Sequence, residues 1–153
     1  MVTKVLVDTN ILIDLMNGVP EAKAELGYFS DFAISSLTWM QVMVGCRTQA
    51  DTLKFETFLK MLNVQVVHPD DAIMATAVTI RSAGLARTPK RKIKAPDAII
   101  GATAKVLGRL VITRNPADFE PSQLRVPYKL KYEKDDKGNI TGWIASDVAD
   151  APE

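Results

Sequence analysis

The sequence predicts an α/β fold in which helices cover both faces of a parallel sheet. Short apolar runs alternate with stretches of helical periodicity along most of the chain. The apolar runs are continuous rather than alternating, which is typical of strands that are buried on both sides. The chain has 153 residues, 47% of them hydrophobic, which predicts one domain with enough apolar side chains for a core.

Each element follows from a local pattern. The predicted strands are residues 4–7, 32–35, 64–67 and 110–112, because each is a short run rich in aliphatic and β-branched side chains. The predicted helices cover residues 11–16, 21–29, 37–45, 51–62, 70–84 and 97–108, where apolar residues recur at helical spacing. Gly18 and Pro20 end the first helix, and Ser36 is positioned to cap the third.

The second half of the chain contains two irregular regions. Residues 85–97 hold Pro89 and Pro96 and predict a loop. In residues 128–153, a short alternating stretch, the turn signal DDKGN and the segment ITGWIA predict a β-hairpin or an extension that becomes ordered on a partner. The predicted organisation is a domain over residues 1–127 followed by this extension. Trp143 has two predicted uses, packing on the domain or on a partner.

Charge is distributed unevenly along the chain, although the formal net charge is only +1. Residues 87–134 carry 12 basic and 4 acidic side chains, whereas residues 1–86 carry 6 basic and 9 acidic ones. A basic segment of this kind suits an anionic polymer as a ligand. The first ten residues lack the pattern of a secretory signal, no apolar run is long enough to span a membrane, and Cys46 is the single cysteine, in a helical pattern that predicts a packed, inert thiol. The expectation is a cytoplasmic protein.

Asp8, Asp97 and Asp118 are the strongest candidates for a functional site. Asp8 directly follows the first predicted strand, Asp118 lies just past the fourth, and Asp97 stands at the start of a helix. In parallel sheets ligands bind beyond the carboxyl ends of the strands, so the fold is able to gather these carboxylates at one edge. Clustered carboxylates repel each other, and such a group therefore predicts a divalent cation, Mg²⁺ or Mn²⁺.

Other readings of single acidic residues are structural. Taken alone, Asp97 is typical of a helix N-cap and Asp8 of an Asx-turn. Asp14 and the pair Asp70–Asp71 are predicted to be surface or helix-capping groups rather than ligands. His68 is the single histidine and has no recognisable nucleophile motif, which disfavours a hydrolytic triad.

Four blocks of the chain resemble PIN-domain ribonucleases, specifically VapC-like toxins of toxin–antitoxin pairs. They are VDTNILIDL, ISSLTWMQVMVG, KAPDAIIGATA and VITRNPADF, in this order, within residues 4–127. The resemblance implies a PIN-like three-layer α/β/α fold with a central parallel sheet of four or five strands, and an acidic pocket that binds Mg²⁺ or Mn²⁺. It also implies endonucleolytic cleavage of RNA, a cognate antitoxin that occludes the pocket, and a homodimer. In that context Trp39 and Met40 are expected in the core or at the dimer interface.

The resemblance also assigns roles to single residues. It makes Asp8 and Asp97 the two principal metal ligands, and it makes Asp118 a carboxylate that supports the metal site or orients water. The neutral polar residues of the family pocket correspond to Thr9, Asn10, Thr113 and Asn115. Hydroxyl and amide groups are able to orient carboxylates or to hydrogen-bond a phosphate.

Position 41 departs from the family pattern. The resemblance calls for a second glutamate carboxylate here, and the chain has Gln41. A neutral amide offers one carbonyl oxygen to a cation but adds no charge and is not a base. We therefore expect weaker metal binding and reduced or silenced nuclease activity, while the fold and the antitoxin-binding surface are expected to survive.

The basic residues before Asp97 are the candidates for contacts with the phosphates that flank a cleavage site. They are Arg87, Lys90, Arg91, Lys92 and Lys94, and Arg114 lies close to the pocket as well. Docking of the antitoxin is an equally good use of this segment, and the sequence does not decide between the two uses.

Three functions compete at this point. The leading one is an Mg²⁺- or Mn²⁺-dependent endoribonuclease toxin that acts by metal-assisted hydrolysis. The second is a catalytically degenerate PIN domain that binds RNA or antitoxin, which Gln41 favours. The third, a magnesium-dependent phosphatase for small substrates, is disfavoured because the chain lacks a nucleophile-type DxD motif.

Overall fold

The computed structural model describes residues 3–153 and has a five-stranded parallel sheet at its centre. The strands are β1 (Lys4–Val7), β2 (Asp31–Ser35), β3 (Gln65–Val67), β4 (Leu110–Ile112) and β5 (Leu124–Arg125). Their order across the sheet is β3-β2-β1-β4-β5, and all neighbours run parallel. Because β1 lies at the centre, the loop that follows it opens at the middle of the carboxyl edge.

Six helices cover the two faces of this sheet. They are α1 (Thr9–Met16), α2 (Pro20–Leu26), α3 (Ser36–Gly45), α4 (Gln49–Met61), α5 (Asp71–Leu85) and α6 (Ala95–Leu107). Alternate residues of β1 serve the two faces, since side chains of a strand point alternately up and down. Val5 and Val7 pack in a cluster with α1, α2 and α4, whereas Leu6 packs with Ile100 of α6. The expected three-layer α/β/α fold is confirmed.

Helix ends follow local capping chemistry. Ser35, not Ser36, caps α3, because its hydroxyl accepts the hydrogen bond from the Leu37 amide at 3.2 Å. Asp70 caps α5 as predicted, and its carboxylate accepts from the Ile73 amide at 2.8 Å. At the C-terminal end of α6, Gly108 adopts a left-handed conformation with φ of 63°, which a glycine reaches without steric cost.

Residues 128–153 contain an antiparallel hairpin. Strand β6 (Lys129–Lys134) pairs with β7 (Ile140–Ser146), and Asp135 holds the turn by accepting hydrogen bonds from the amides of Lys137 and Asn139. Tyr132 and Trp143 pack against the cluster around α1 and β1. Of the two predicted uses of Trp143, packing on the domain is therefore the observed one.

The structure also shows how exposed Trp39, Met40 and Cys46 are. Trp39 and Met40 of α3 are 40% and 50% exposed, so their placement in the core is wrong and the interface alternative stays a prediction. Cys46 is a partly buried free thiol, and burial raises its pKa, which favours the protonated form. Within residues 3–153, no helix combines the length and apolar character that a membrane span requires.

Candidate functional site

Asp8 lies at the carboxyl edge of the sheet, and its carboxylate accepts three hydrogen bonds. It is the single residue between β1 and α1 and caps α1, accepting a hydrogen bond from the Thr9 amide at 2.8 Å. Its Oδ2 atom accepts from the Thr113 hydroxyl at 2.7 Å and from Nδ2 of Asn10 at 3.3 Å. Burial raises the pKa of Asp8, and the hydrogen bonds from Thr113 and Thr9 oppose that rise. The structural role observed for Asp8 is therefore a helix cap rather than the Asx-turn considered from the sequence, and this role is compatible with a functional one.

Asp97 lies in the first turn of α6, where Lys94 rather than Asp97 holds the N-cap position. Burial raises the pKa of Asp97 to about 6, aided by a hydrogen bond with Asp118 and by the negative charges of Asp8 and Asp118. The Lys94 charge partly opposes this rise. The fold therefore brings the three predicted aspartates close enough for their charges to interact, and Asp97 interacts with both of the others.

Asp118 ends a short 3₁₀ turn, Pro116–Asp118, that follows β4. Its carboxylate is largely buried, and both Nε and Nη2 of Arg91 lie 2.6 Å from its Oδ1 atom. Arg91 itself is half exposed and belongs to the basic segment before α6. One cation of this segment therefore already neutralises one of the three carboxylates.

Gln41 reaches the same edge from α3. Its Oε1 atom accepts a hydrogen bond of 2.6 Å from the hydroxyl of Thr9, and the Thr38 hydroxyl lies 3.1 Å from that of Thr9. The side-chain oxygen of Gln41 therefore contacts Thr9, the residue that follows Asp8. The family pattern calls for a carboxylate at position 41.

The neutral polar residues form a hydrogen-bonded frame around Asp8. Thr113 is fully buried, and besides its bond to Asp8 its hydroxyl oxygen accepts from Nδ2 of Asn10 at 3.2 Å and from the Asn115 amide at 3.0 Å. Oδ1 of Asn10 accepts from the backbone amide of Arg114 at 3.1 Å. Thr113 and Asn10 therefore orient Asp8, whereas the contact of Asn115 here is made by its backbone.

The side chain of Arg114 turns away from these carboxylates. Its Nε and Nη2 atoms bind the two oxygens of Asp14 at 2.6 and 3.1 Å. Asp14 also accepts hydrogen bonds from the hydroxyls of Tyr128 at 2.7 Å and Tyr132 at 2.6 Å. Burial raises the pKa of Tyr132 to about 12, and it raises that of Tyr128 as well. The phenols therefore stay protonated and donate to Asp14.

The prediction that Asp14 is a surface or capping group is wrong. Asp14 is fully buried and joins α1 to the segment after β4 and to the hairpin. Sequence reasoning missed it because its partners lie 100 to 118 residues away. The available signal was an acidic residue inside the apolar pattern of α1, together with two tyrosines four residues apart after residue 127.

The donor groups at this edge fit a hard divalent cation. Within residues 3–153, no three side chains of Asp, Glu, His or Cys gather closely enough to enclose an ion by themselves. Mg²⁺ needs no such cage, because it is usually bound by one or two carboxylates, with water and phosphate oxygens as the other ligands. The raised pKa values of Asp8 and Asp97 reflect burial, and for Asp97 also repulsion between carboxylates that a cation would relieve.

Comparisons with known proteins bear on this site. The model of the PIN domain family matches residues 5–120. No curated protein gives a match. Among solved structures, a chain of a toxin–antitoxin complex from Klebsiella pneumoniae is 36% identical with a TM-score of 0.71, over 82% of this chain and 99% of that one.

Two more distant structures share the fold. A chain of VapBC2 from Rickettsia felis, bound to a DNA fragment from its promoter, is 16% identical over 80% of this chain and 98% of that one, with a TM-score of 0.68. A chain of VapBC-1 from nontypeable Haemophilus influenzae is 22% identical over 80% and 97%, with a TM-score of 0.63. These coverages leave about a fifth of this chain, some 30 residues, outside the matched region.

Proposed function

We propose a function for this chain, which belongs to the PIN domain family and is VapC-like. It is a metal-dependent endoribonuclease toxin of a toxin–antitoxin pair. The observation that carries the proposal is the group formed by Asp8, Asp97 and Asp118 at the carboxyl edge of a parallel sheet. Ligands of such sheets bind at this edge.

Asp8 and Asp97 are the proposed ligands of Mg²⁺ or Mn²⁺. When bound, the cation supplies a Lewis acid for the scissile phosphate and lowers the pKa of a water molecule. Thr113 and Asn10 keep the Asp8 carboxylate oriented through their hydrogen bonds to Oδ2. Asp118, which shares a hydrogen bond with Asp97, is proposed to orient the attacking water and to take up its proton. Attack in line leaves a 5′-phosphate and a 3′-hydroxyl.

Gln41 is proposed to reduce this activity. Its amide oxygen is engaged by the Thr9 hydroxyl at 2.6 Å, and it brings no negative charge to the pocket. Cation binding is therefore weaker, and cleavage slower or silent, compared with a chain that carries glutamate here.

The basic segment before α6 is proposed to hold the phosphates next to the cleavage site. Arg91, Lys92 and Lys94 are the exposed cations nearest to Asp97 in the chain. Thr9 and Asn115 complete the proposed substrate contacts at the pocket. Arg114 is left out of this set because its guanidinium group is held by the buried Asp14, whereas the half-exposed Arg91 would contact a phosphate by opening its ion pair with Asp118.

The proposed partners are a cognate antitoxin and a second copy of the chain. The Klebsiella pneumoniae chain comes from a toxin–antitoxin complex, and 99% of it is matched by this chain. The proposed location is the cytoplasm. A second candidate function, an inactive domain that binds RNA or antitoxin, is favoured by one observation, the neutral side chain at position 41.

The proposal is tested by incubating a mixture of structured RNAs with the chain in Mg²⁺ and in Mn²⁺, beside the variants Gln41→Glu and Asp8→Ala. Cleavage by the chain that is lost in Asp8→Ala supports the nuclease. Cleavage by Gln41→Glu alone supports a silenced nuclease. If none of the three cleaves RNA while all are folded by circular dichroism, the nuclease proposal is rejected and the binding domain replaces it.

A further inference from the structure

A cleft of about 160 Å³ begins at Asp118 and lies between α5 and α6. Its inner surface is apolar and is formed by the buried side chains of Ile93, Val111 and Phe119. Its outer lining is polar and includes Thr79, Arg87, Lys105 and Gln123. The cleft is thus continuous with a carboxylate of the candidate site but differs from that site in chemistry.

Gly101 keeps this cleft open. Gly101 and Lys105 follow Asp97 at intervals of four residues, so the three lie along one face of α6. A Cβ atom at position 101 would lie 3.6 Å from Cδ1 of Phe119 and 3.7 Å from Cδ1 of Ile80, and both residues line the cleft. An alanine would therefore fit without strain, whereas a larger side chain would fill the cleft between Asp97 and Lys105.

We propose that this cleft binds one unpaired nucleobase of an RNA strand, next to the nucleotide that carries the scissile phosphate. The inference rests on the proposed ribonuclease function. Proteins recognise unpaired RNA bases by packing against their faces and by hydrogen bonds to their edges. The apolar inner surface suits the face of a base, and the amide of Gln123 and the hydroxyl of Thr79 suit its edge.

The lining carries both signs of charge, since Asp118 and Glu120 stand beside Arg87 and Lys105, and it therefore suits a polar ligand rather than a purely apolar one. Arg87 lies two residues past the end of α5 and Lys105 lies on α6, so one cation stands on each of these walls of the cleft. A strand that enters the cleft from the carboxylates carries a phosphate on each side of its base, and these cations are placed for such phosphates. Because Asp118 itself lines the cleft, the strand reaches it directly from the candidate site.

The cleft would therefore determine which base is accepted beside the cleavage position. Removing that base is expected to weaken binding about tenfold, because one packed base contributes on that scale. Filling the cleft is expected to weaken the binding of intact RNA to the same extent. Removal of the base should then cause no further loss of affinity.

The test measures binding of a short, fluorescently labelled single-stranded RNA by anisotropy, in Ca²⁺, a hard cation that takes oxygen ligands. A companion set of RNAs lacks one base at a time. The proteins are the unchanged chain, Gly101→Leu and, as the matched control, Gly101→Ala. We expect a single sensitive position for the unchanged chain and for Gly101→Ala, and uniformly weak binding without a sensitive position for Gly101→Leu.

The outcomes separate this inference from the function on which it rests. RNA binding without any sensitive position in the unchanged chain overturns the nucleobase site alone, and this result does not depend on a variant that folds. Loss of antitoxin binding in Gly101→Leu with RNA binding intact also overturns it, in favour of a protein-docking cleft. No RNA binding and no cleavage by any folded variant overturns both proposals.

Discussion

The hydroxyl group of Thr9 donates a hydrogen bond of 2.6 Å to the side-chain oxygen of Gln41. The bond joins α1 to α3, and it fixes this oxygen next to the residue that follows Asp8. A glutamate in the same rotamer would accept the same hydrogen bond, so the exchange of amide for carboxylate changes the charge of the pocket with little change in packing.

Replacing Gln41 with glutamate is therefore expected to increase Mg²⁺-dependent cleavage of RNA by at least about tenfold, on the scale of changes around metal ligands. Initial rates measured against Mg²⁺ concentration check this, and the half-saturating concentration is expected to fall. Gln65→Glu is the matched control, because it adds the same charge at the first residue of β3, at the opposite edge of the sheet. An equal response of both variants would show that the effect is only one of net charge.

Asp97 predicts a pH dependence of stability in the metal-free protein. Its pKa is raised to about 6 from the value of 3.8 that an exposed aspartate has, so between these values the folded state binds more protons than the unfolded state. Stability from this group is complete below pH 3.8 and is lost as the pH rises through 6. The Asp97→Asn variant lacks this contribution, and its melting temperature is expected to rise relative to that of the unchanged chain between pH 4 and pH 7.

Addition of Mg²⁺ supplies the complementary measurement. The cation binds the ionised carboxylates of Asp8 and Asp97, with Asp118 beside them, so its stabilising effect should grow between pH 5 and pH 7. Lys94 and Arg91 are the cations that face this group. A melting-temperature shift with Mg²⁺ that is the same at both pH values, or that persists in Asp97→Asn, would contradict the assignment of Asp97 as a ligand.

Arg91→Ala is expected to strengthen Mn²⁺ binding about threefold to tenfold at low ionic strength. The guanidinium group lies 2.6 Å from Asp118 and competes electrostatically with a cation in the pocket. Electron paramagnetic resonance of free Mn²⁺ measures the affinity directly. Lys90→Ala, in the same exposed loop, is the control and should leave the affinity nearly unchanged, and Arg91→Lys should fall between the two. An unchanged Mn²⁺ affinity in Arg91→Ala would contradict the claim that Arg91 competes with the cation.

Asp14→Ala is expected to lower the free energy of unfolding by about 3 to 5 kcal/mol, because it leaves the guanidinium group of Arg114 without its buried partner. Tyr132→Phe removes one hydrogen bond to Asp14 and should cost about 1 kcal/mol. Urea unfolding measures both losses. Asp147→Ala is the control, since its ion pair with Lys129 is mostly exposed and should contribute little. A small loss in Asp14→Ala would show that the buried network adds no net stability.

The sequence was sufficient where the determinants are local. The predicted bounds of β1 and β4 agree with the structure, because both are continuous aliphatic runs that end at a polar residue. The fifth strand, Leu124–Arg125, has two residues and carries no periodic signal of its own. It becomes a strand only because β4 offers an unpaired edge.

In the candidate site, too, some features follow from the sequence and others only from the tertiary structure. The sequence by itself placed Asp8, Asp97 and Asp118 after strands or at a helix start, which is enough to put them at one edge of a parallel sheet. It also identified the neutral side chain at position 41. Tertiary structure alone decided that Arg91 pairs with Asp118 and that Arg114 pairs with Asp14, since both partners lie far away in the chain. A carboxylate binds whichever cation the fold brings within hydrogen-bonding distance, and no local pattern of residues records that distance.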